Sequence, residues 1–204
     1  MSRLGKEKIN EQTTIIVINF FKLGKIQIIS GKWKGRNISV IFKKELRPTL
    51  SRARKTLFDW IRPYINESNC LDCFSGSGSL SIEAVSQNAS FVISVEIDKS
   101  IFNQLVKNVN LFYTRKIKMF NTNILNFLNR KGNPFDIVFL DPPFGNNLLS
   151  KTIVLLEKNC WIKKGSLIYL ETERRNNFPN IPKSWKIYKK KVGKNVLYSL
   201  FKRH

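Results

Sequence analysis

From Asn69 onward the sequence alternates short apolar runs with amphipathic stretches of helix length, and no other feature restricts the fold so tightly. The runs fall at 70–74, 91–96, 117–120, 135–140 and 166–171, with helical stretches opening near Gly78 and Lys99 and a further one over 148–160. Runs this short and this continuously apolar suit strands buried on both faces. Strands separated by helices pair in parallel. The expected fold is therefore α/β, a Rossmann-like and mostly parallel sheet covered on both sides. The chain closes with runs at 185–191 and 196–201 around Gly193-Lys194-Asn195. These lie too close together for a helical crossover, so an antiparallel hairpin should end the sheet.

Ahead of this pattern, Lys25-Ile26-Gln27-Ile28-Ile29 and Arg36-Asn37-Ile38-Ser39-Val40-Ile41 flank Gly31-Lys32-Trp33-Lys34-Gly35. Two β-branched runs around a glycine-bounded turn predict a hairpin with a basic, aromatic tip. Leu46-Arg47-Pro48-Thr49 then leads into a helix. In it Ala53, Leu57, Trp60, Ile61 and Tyr64 recur at helical spacing, while Arg52, Lys55 and Arg62 point elsewhere. Thr49 or Ser51 would cap it. The chain thus reads as a segment 1–23 of no assignable role, a hairpin-and-helix extension over 24–66, and a Rossmann-like domain over 67–204.

Lys and Arg number 36 against 14 for Asp and Glu, a formal charge of +22. Such a balance implies a polyanionic partner, most often nucleic acid. Codon usage explains part of it, because Lys (25) outnumbers Arg (11) and Asn, Ile and Phe abound, as AT-rich genomes produce. Three cysteines, Cys70, Cys73 and Cys160, make no disulfide framework and fit a reducing cytoplasm. Cys70 and Cys73, three apart on a strand, should point to opposite faces as core residues. The only histidine is His204, so chemistry that needs an imidazole base or a His-rich metal site is disfavoured and no metal is expected. No apolar run approaches the roughly 20 residues that span a bilayer. A monomer without a membrane partner is expected.

The run 70–74 leads directly into Ser75-Gly76-Ser77-Gly78-Ser79, and a Gly-x-Gly turn between strand and helix lets a ligand approach the backbone. Ser81 stands where a dinucleotide fingerprint needs its third glycine, and Asp72 precedes the loop. Both disfavour a pyrophosphate. About 20 residues after Gly76 comes Glu96-Ile97-Asp98, where an acidic side chain accepts hydrogen bonds from both hydroxyls of a ribose. Asp72 with Glu96 suits a cationic, phosphate-free nucleoside such as S-adenosylmethionine. Asn123 and Ile124 fall where an adenine would be contacted, although a helix cap explains Asn123 nearly as well.

The run 135–140 ends in Asp141-Pro142-Pro143-Phe144. A base amino group is a poor nucleophile because its lone pair is delocalised into the ring. Methyl transfer to it needs acceptors that draw on the N–H hydrogens. The Asp141 carboxylate and the Pro142 carbonyl can supply two, Pro143 stiffens the turn, and Phe144 can stack on an extruded base.

Carrying these residues together with Ile29-Ser30-Gly31-Lys32-Trp33-Lys34-Gly35-Arg36, Leu46-Arg47-Pro48-Thr49, Thr56-Leu57-Phe58-Asp59-Trp60 and Leu71-Asp72-Cys73-Phe74-Ser75-Gly76-Ser77-Gly78-Ser79-Leu80, the chain resembles the RsmD-type 16S rRNA (guanine-N2)-methyltransferase family from about Gly24 to its end. The resemblance implies a Rossmann-like S-adenosylmethionine-dependent methyltransferase acting on the small ribosomal subunit or its assembly intermediate. It implies cofactor binding on Asp72, Phe74, Gly76, Gly78, Glu96 and Asn123, to which the spacing adds Ile97 and Ile124, and methyl transfer on Asp141 to Phe144. Interleaved basic and aromatic residues assign RNA contact to Lys32, Trp33, Lys34, Arg36, Arg47, Arg52 and Arg54. Ser75 and Ser79 depart from the alanines common in the family, a change a tight turn tolerates. The alternatives are a DNA amino-methyltransferase, disfavoured by the lack of room for a target-recognition domain, a non-catalytic rRNA-binding assembly factor, and an oxidoreductase.

Overall fold

The structure, a computed structural model, describes residues 22–42, 51–143, 148–174 and 179–204. Strand β1, Lys22–Gln27, pairs antiparallel with β2, Asn37–Phe42, across a 3₁₀ turn at Gly31–Trp33. Helix α1, Ser51–Ile65, follows. Then strands and helices alternate as β3 (Asn69–Asp72), α2 (Ser79–Ser86), β4 (Phe91–Glu96), α3 (Lys99–Asn110), β5 (Ile117–Asn121), α4 (Ile124–Leu128), β6 (Phe135–Leu140), α5 (Leu148–Lys158) and β7 (Ile162–Glu173). The hairpin β8 (Trp185–Val192) and β9 (Val196–Arg203) ends the chain.

These strands form one seven-stranded sheet in the order β5-β4-β3-β6-β7-β9-β8. All pairs from β5 to β7 are parallel, and β9 runs antiparallel to both β7 and β8. The predicted architecture is what forms. Alternation along each strand divides the core in two. On β6, Ile137 and Phe139 join a cluster with Leu57, Ile61, Ile82 and Leu105 from α1, α2 and α3, whereas Val138 and Leu140 join Ile153, Leu156 and Trp161 on the other face. Cys70 and Cys73 fall into opposite clusters, both buried, as their spacing predicted.

The β1–β2 hairpin has no core of its own. Ile28, Trp33 and Ile38 are buried in the same cluster as α1, α2 and α3. This corrects one expectation, that Trp33 faces a substrate. Its ring packs 4.5 Å from that of Phe112, and its backbone N–H donates to Ser86 Oγ at 3.0 Å. A second correction concerns Arg54, which is 1% exposed and so cannot meet a substrate. It donates to the carbonyl of Gln27 at 3.0 Å and lies 3.8 Å from Glu83. Among the described residues its Nε and Nη1 find no hydrogen-bond partner. Burial pulls the guanidinium pKa down, opposed by the charge of Glu83. The same Glu83 carboxylate accepts the Ile29 and Ser30 N–H groups, each at 2.8 Å, so one buried anion ties hairpin, α1 and α2 together.

Candidate active site

A parallel sheet whose order reverses between β3 and β6 opens a crevice at the carboxyl ends of its strands. Here that crevice is a cavity of about 350 Å³, within the range of small-molecule sites. Its lining runs from Asn123 after β5 to Tyr198 on β9. At about 4.8 Å per strand that is about 24 Å, room for a nucleoside-sized ligand beside a second ring.

At the β3–β4 end the sequence-predicted residues Phe74, Gly76, Glu96, Ile97, Asn123 and Ile124 all line the cavity. The two glycines serve differently. A Cβ on Gly78, at φ +87°, would stand 2.4 Å from Leu105 Cδ1, so this residue lets α2 and α3 pack; a Cβ on Gly76 would meet nothing within 4 Å. Gly78 therefore supports the loop, and Gly76 presents its backbone to the cavity. The Gly76 N–H donates to Glu96 Oε2 at 3.0 Å and the Asp98 N–H to Oε1 at 2.8 Å, which fixes the carboxylate. Burial raises the Glu96 pKa against these hydrogen bonds. Asn123 is the helix cap, its side chain accepting the Leu125 N–H at 2.8 Å, and it also borders the cavity.

Asp72 differs from expectation. It is 1% exposed, does not line the cavity, and accepts a hydrogen bond from Ser81 Oγ at 2.6 Å. The register explains why. Asp72 pairs with Ser94 on β4 and Phe139 on β6, so it stands two residues, about 6.6 Å, below the level of Glu96 and Asp141. Burial pushes its carboxyl up to about 7, opposed by the Ser81 hydrogen bond. Ser81, whose place argued against a dinucleotide, is thereby the side chain that satisfies a buried acid.

At the β6 end Asp141, Pro142 and Pro143 line the cavity as predicted. Phe144 and Arg47 lie outside the described residues. Sequence reasoning missed two sets of lining residues. Ile26, Val40 and Ile41 come from the β1–β2 hairpin, so that element walls the cavity; Asn108 holds it there by donating to the carbonyls of Ser39 and Ser77, each at 2.8 Å. Glu171, Val196 and Tyr198 come from β7 and β9. Only Glu171 carried a signal, as an acid at the end of a predicted strand.

Of the residues read as RNA-facing, Lys32, Lys34, Arg36 and Arg52 are exposed. Arg36 lies over Phe112 and its Nη2 donates to the Leu111 carbonyl at 2.6 Å. Among the described residues no group of three metal-ligating side chains occurs, and no helix is long and apolar enough to cross a membrane.

The family described as conserved hypothetical protein 95 matches residues 26–202. The ribosomal RNA small subunit methyltransferase D of Escherichia coli K12 is 43% identical over 180 residues, covering 88% of this chain and 91% of the relative. Its namesake from Buchnera aphidicola of Acyrthosiphon pisum is 45% identical over 183 residues, covering 89% and 95%. The solved yhhF protein of Escherichia coli superposes with a TM-score of 0.83 at 43% identity, covering 89% of this chain and 99% of that one.

Proposed function

The chain belongs to the conserved hypothetical protein 95 family together with the ribosomal RNA small subunit methyltransferases D, and from that premise we propose that it methylates the N2 amine of one guanine in 16S rRNA, with S-adenosylmethionine as donor. The observation that carries this reading is one cavity lined both by Glu96 at the end of β4 and by the turn Asp141-Pro142 after β6.

The residues present fit such a cofactor. Glu96 would hold the ribose hydroxyls, Ile97 and Ile124 would flank the adenine, and the open side of Gly76 would leave room for the amino-acid arm; all four line the cavity. Bound there, the cofactor supplies an electrophilic methyl group; everything else falls to the chain. The guanine is turned out of its stack into the β6 end of the cavity. Asp141 and the Pro142 carbonyl accept the two amino hydrogens and hold the nitrogen lone pair toward the methyl carbon. A bound cofactor would give up that methyl to the amine nitrogen and keep the sulfur electron pair, and the chain's own part would be to take the excess proton from the nitrogen onto Asp141. No imidazole or metal takes part in this scheme. The exposed Lys32, Lys34, Arg36 and Arg52 supply contacts to RNA phosphates.

Labelled methyl transfer to small subunits lacking the modification, followed by mapping of the labelled base, tests the assignment. Asp141→Ala should lower the single-turnover rate on the order of 10²–10³-fold with cofactor affinity little changed. Glu96→Ala should instead weaken cofactor binding by about 1–3 kcal/mol, read by calorimetry. Label on a ring carbon would exclude the amine as target, and a near-normal rate for Asp141→Ala would exclude this mechanism.

A further inference from the structure

Asp141 has a neighbour that the proposed chemistry leaves idle. Leu140 on β6 pairs with Leu170 on β7, so continuing that register brings Asp141 beside Glu171 at the same level of the sheet. Both follow residues of the hairpin-side core by two positions, Phe139 and Tyr169, and so face the same side. Both line the cavity. Glu171 is only 7% exposed, and its Oε2 accepts the Tyr169 hydroxyl at 3.1 Å, a bond that fixes the carboxylate against β7. The Tyr169 pKa is raised well above that of a free phenol, first by burial and then by Glu171, so the hydroxyl stays a donor.

Two cavity-lining carboxylates at one level of the sheet make a row of acceptors. On the Watson–Crick edge of guanine the N1–H and the N2 amine are adjacent donors. Adenine and cytosine each place a ring nitrogen acceptor beside their amine, which a carboxylate repels. Resting on the amine reading above, we propose that Glu171 is the specificity-determining residue: it accepts the guanine N1–H while Asp141 and the Pro142 carbonyl hold the amine. A buried carboxylate left facing an acceptor loses a hydrogen bond and gains a repulsion, and sites built to bond a substrate N–H reject analogues that lack it strongly. Tyr198, paired with Glu171 across β7 and β9 and also lining the cavity, closes that side.

The discriminating substrate is 2-aminopurine, which keeps the 2-amino group but has a bare N1. Small subunits would be assembled from 16S rRNA bearing guanine or 2-aminopurine at the mapped position. Single-turnover rates would be measured for the wild type, Glu171→Gln and Tyr169→Phe. The wild type should favour guanine on the order of 10²-fold or more. Glu171→Gln can offer its amide N–H to a bare N1, so its preference should collapse to about tenfold or less, with cofactor affinity within about twofold of normal. Tyr169→Phe removes the supporting bond but not the acceptor and should keep most of the preference. If Glu171 only satisfied Tyr169, both variants would slow the two bases by one common factor and leave the ratio intact, and that result overturns the proposal. Label on the guanine amine with an unchanged ratio in Glu171→Gln removes Glu171 alone, whereas label away from any 2-amino group removes the amine reading and this inference with it.

Discussion

The two hairpins of this protein look alike in sequence and are used oppositely by the fold. The β1–β2 tip, Gly31-Lys32-Trp33-Lys34-Gly35, carries two lysines and a tryptophan; the β8–β9 hairpin carries Lys186, Lys189, Lys190, Lys191 and Lys194 with Tyr188. The first is docked on α2 with Trp33 buried and its inner strands walling the cavity. The second is the edge of the sheet, where every residue of β8 after Trp185 is exposed, including Ile187, Tyr188 and Val192. A basic, aromatic turn is thus no guide to a surface by itself. In the first hairpin Trp33 is buried together with Ile28 and Ile38, whereas in the second the buried face belongs to β9 and β8 is left at the edge.

The largest effect expected from this contrast is on stability. Trp33→Ala removes a side chain packed against Phe112 in the core and should cost about 3–5 kcal/mol in denaturant unfolding, while the salt dependence of rRNA binding stays put. If the variant instead lost RNA affinity at normal stability, the tip would be a contact surface after all. Next in size is the buried anion. Glu83→Gln keeps the shape but weakens the acceptor for Ile29 and Ser30 and leaves Arg54 uncompensated, which should cost about 1–3 kcal/mol. Adding Arg54→Met should restore part of that loss, since the unpaired charge goes with it. Simple additivity of the two single changes would show that the pair is not coupled.

The sheet was legible because its signal is local. Each apolar run is its own strand, and Asp141-Pro142-Pro143 and Glu96 sit at strand ends in any register. Asp72 was misread because its depth depends on pairing with Ser94 and Phe139, which no local pattern reveals. Trp33 and Arg54 were misread for the related reason that one is apolar enough to bury beside Phe112, and the other is charged but matched by Glu83, 29 positions away in the sequence. Glu171 was passed over because its significance lies in standing beside Asp141, a fact of β6–β7 register alone.

The smallest effect on the fold, and the most telling for RNA, concerns the exposed hairpin. Lys side chains along an edge strand have an ordinary purpose, preventing edge-to-edge pairing with another molecule. Here they also lie beside α1: Lys191 Nζ donates to Thr56 at 3.0 Å, the Tyr188 hydroxyl meets that of Tyr64 at 2.9 Å, and Arg52 and Lys55 are exposed along the same helix. A basic strip interrupted by tyrosines is what a phosphate backbone with unstacked bases would rest on. Replacing Lys189, Lys191 and Lys194 by Ala should change unfolding free energy by no more than about 0.5 kcal/mol, the usual range for surface positions. If each lysine meets one phosphate, the slope of log affinity against log salt should fall by about 2, at roughly 0.7 per contact on single strands. An unchanged slope, combined with new self-association of the triple variant on a sizing column, would assign these lysines to edge protection and return the RNA surface to Lys32, Lys34 and Arg36.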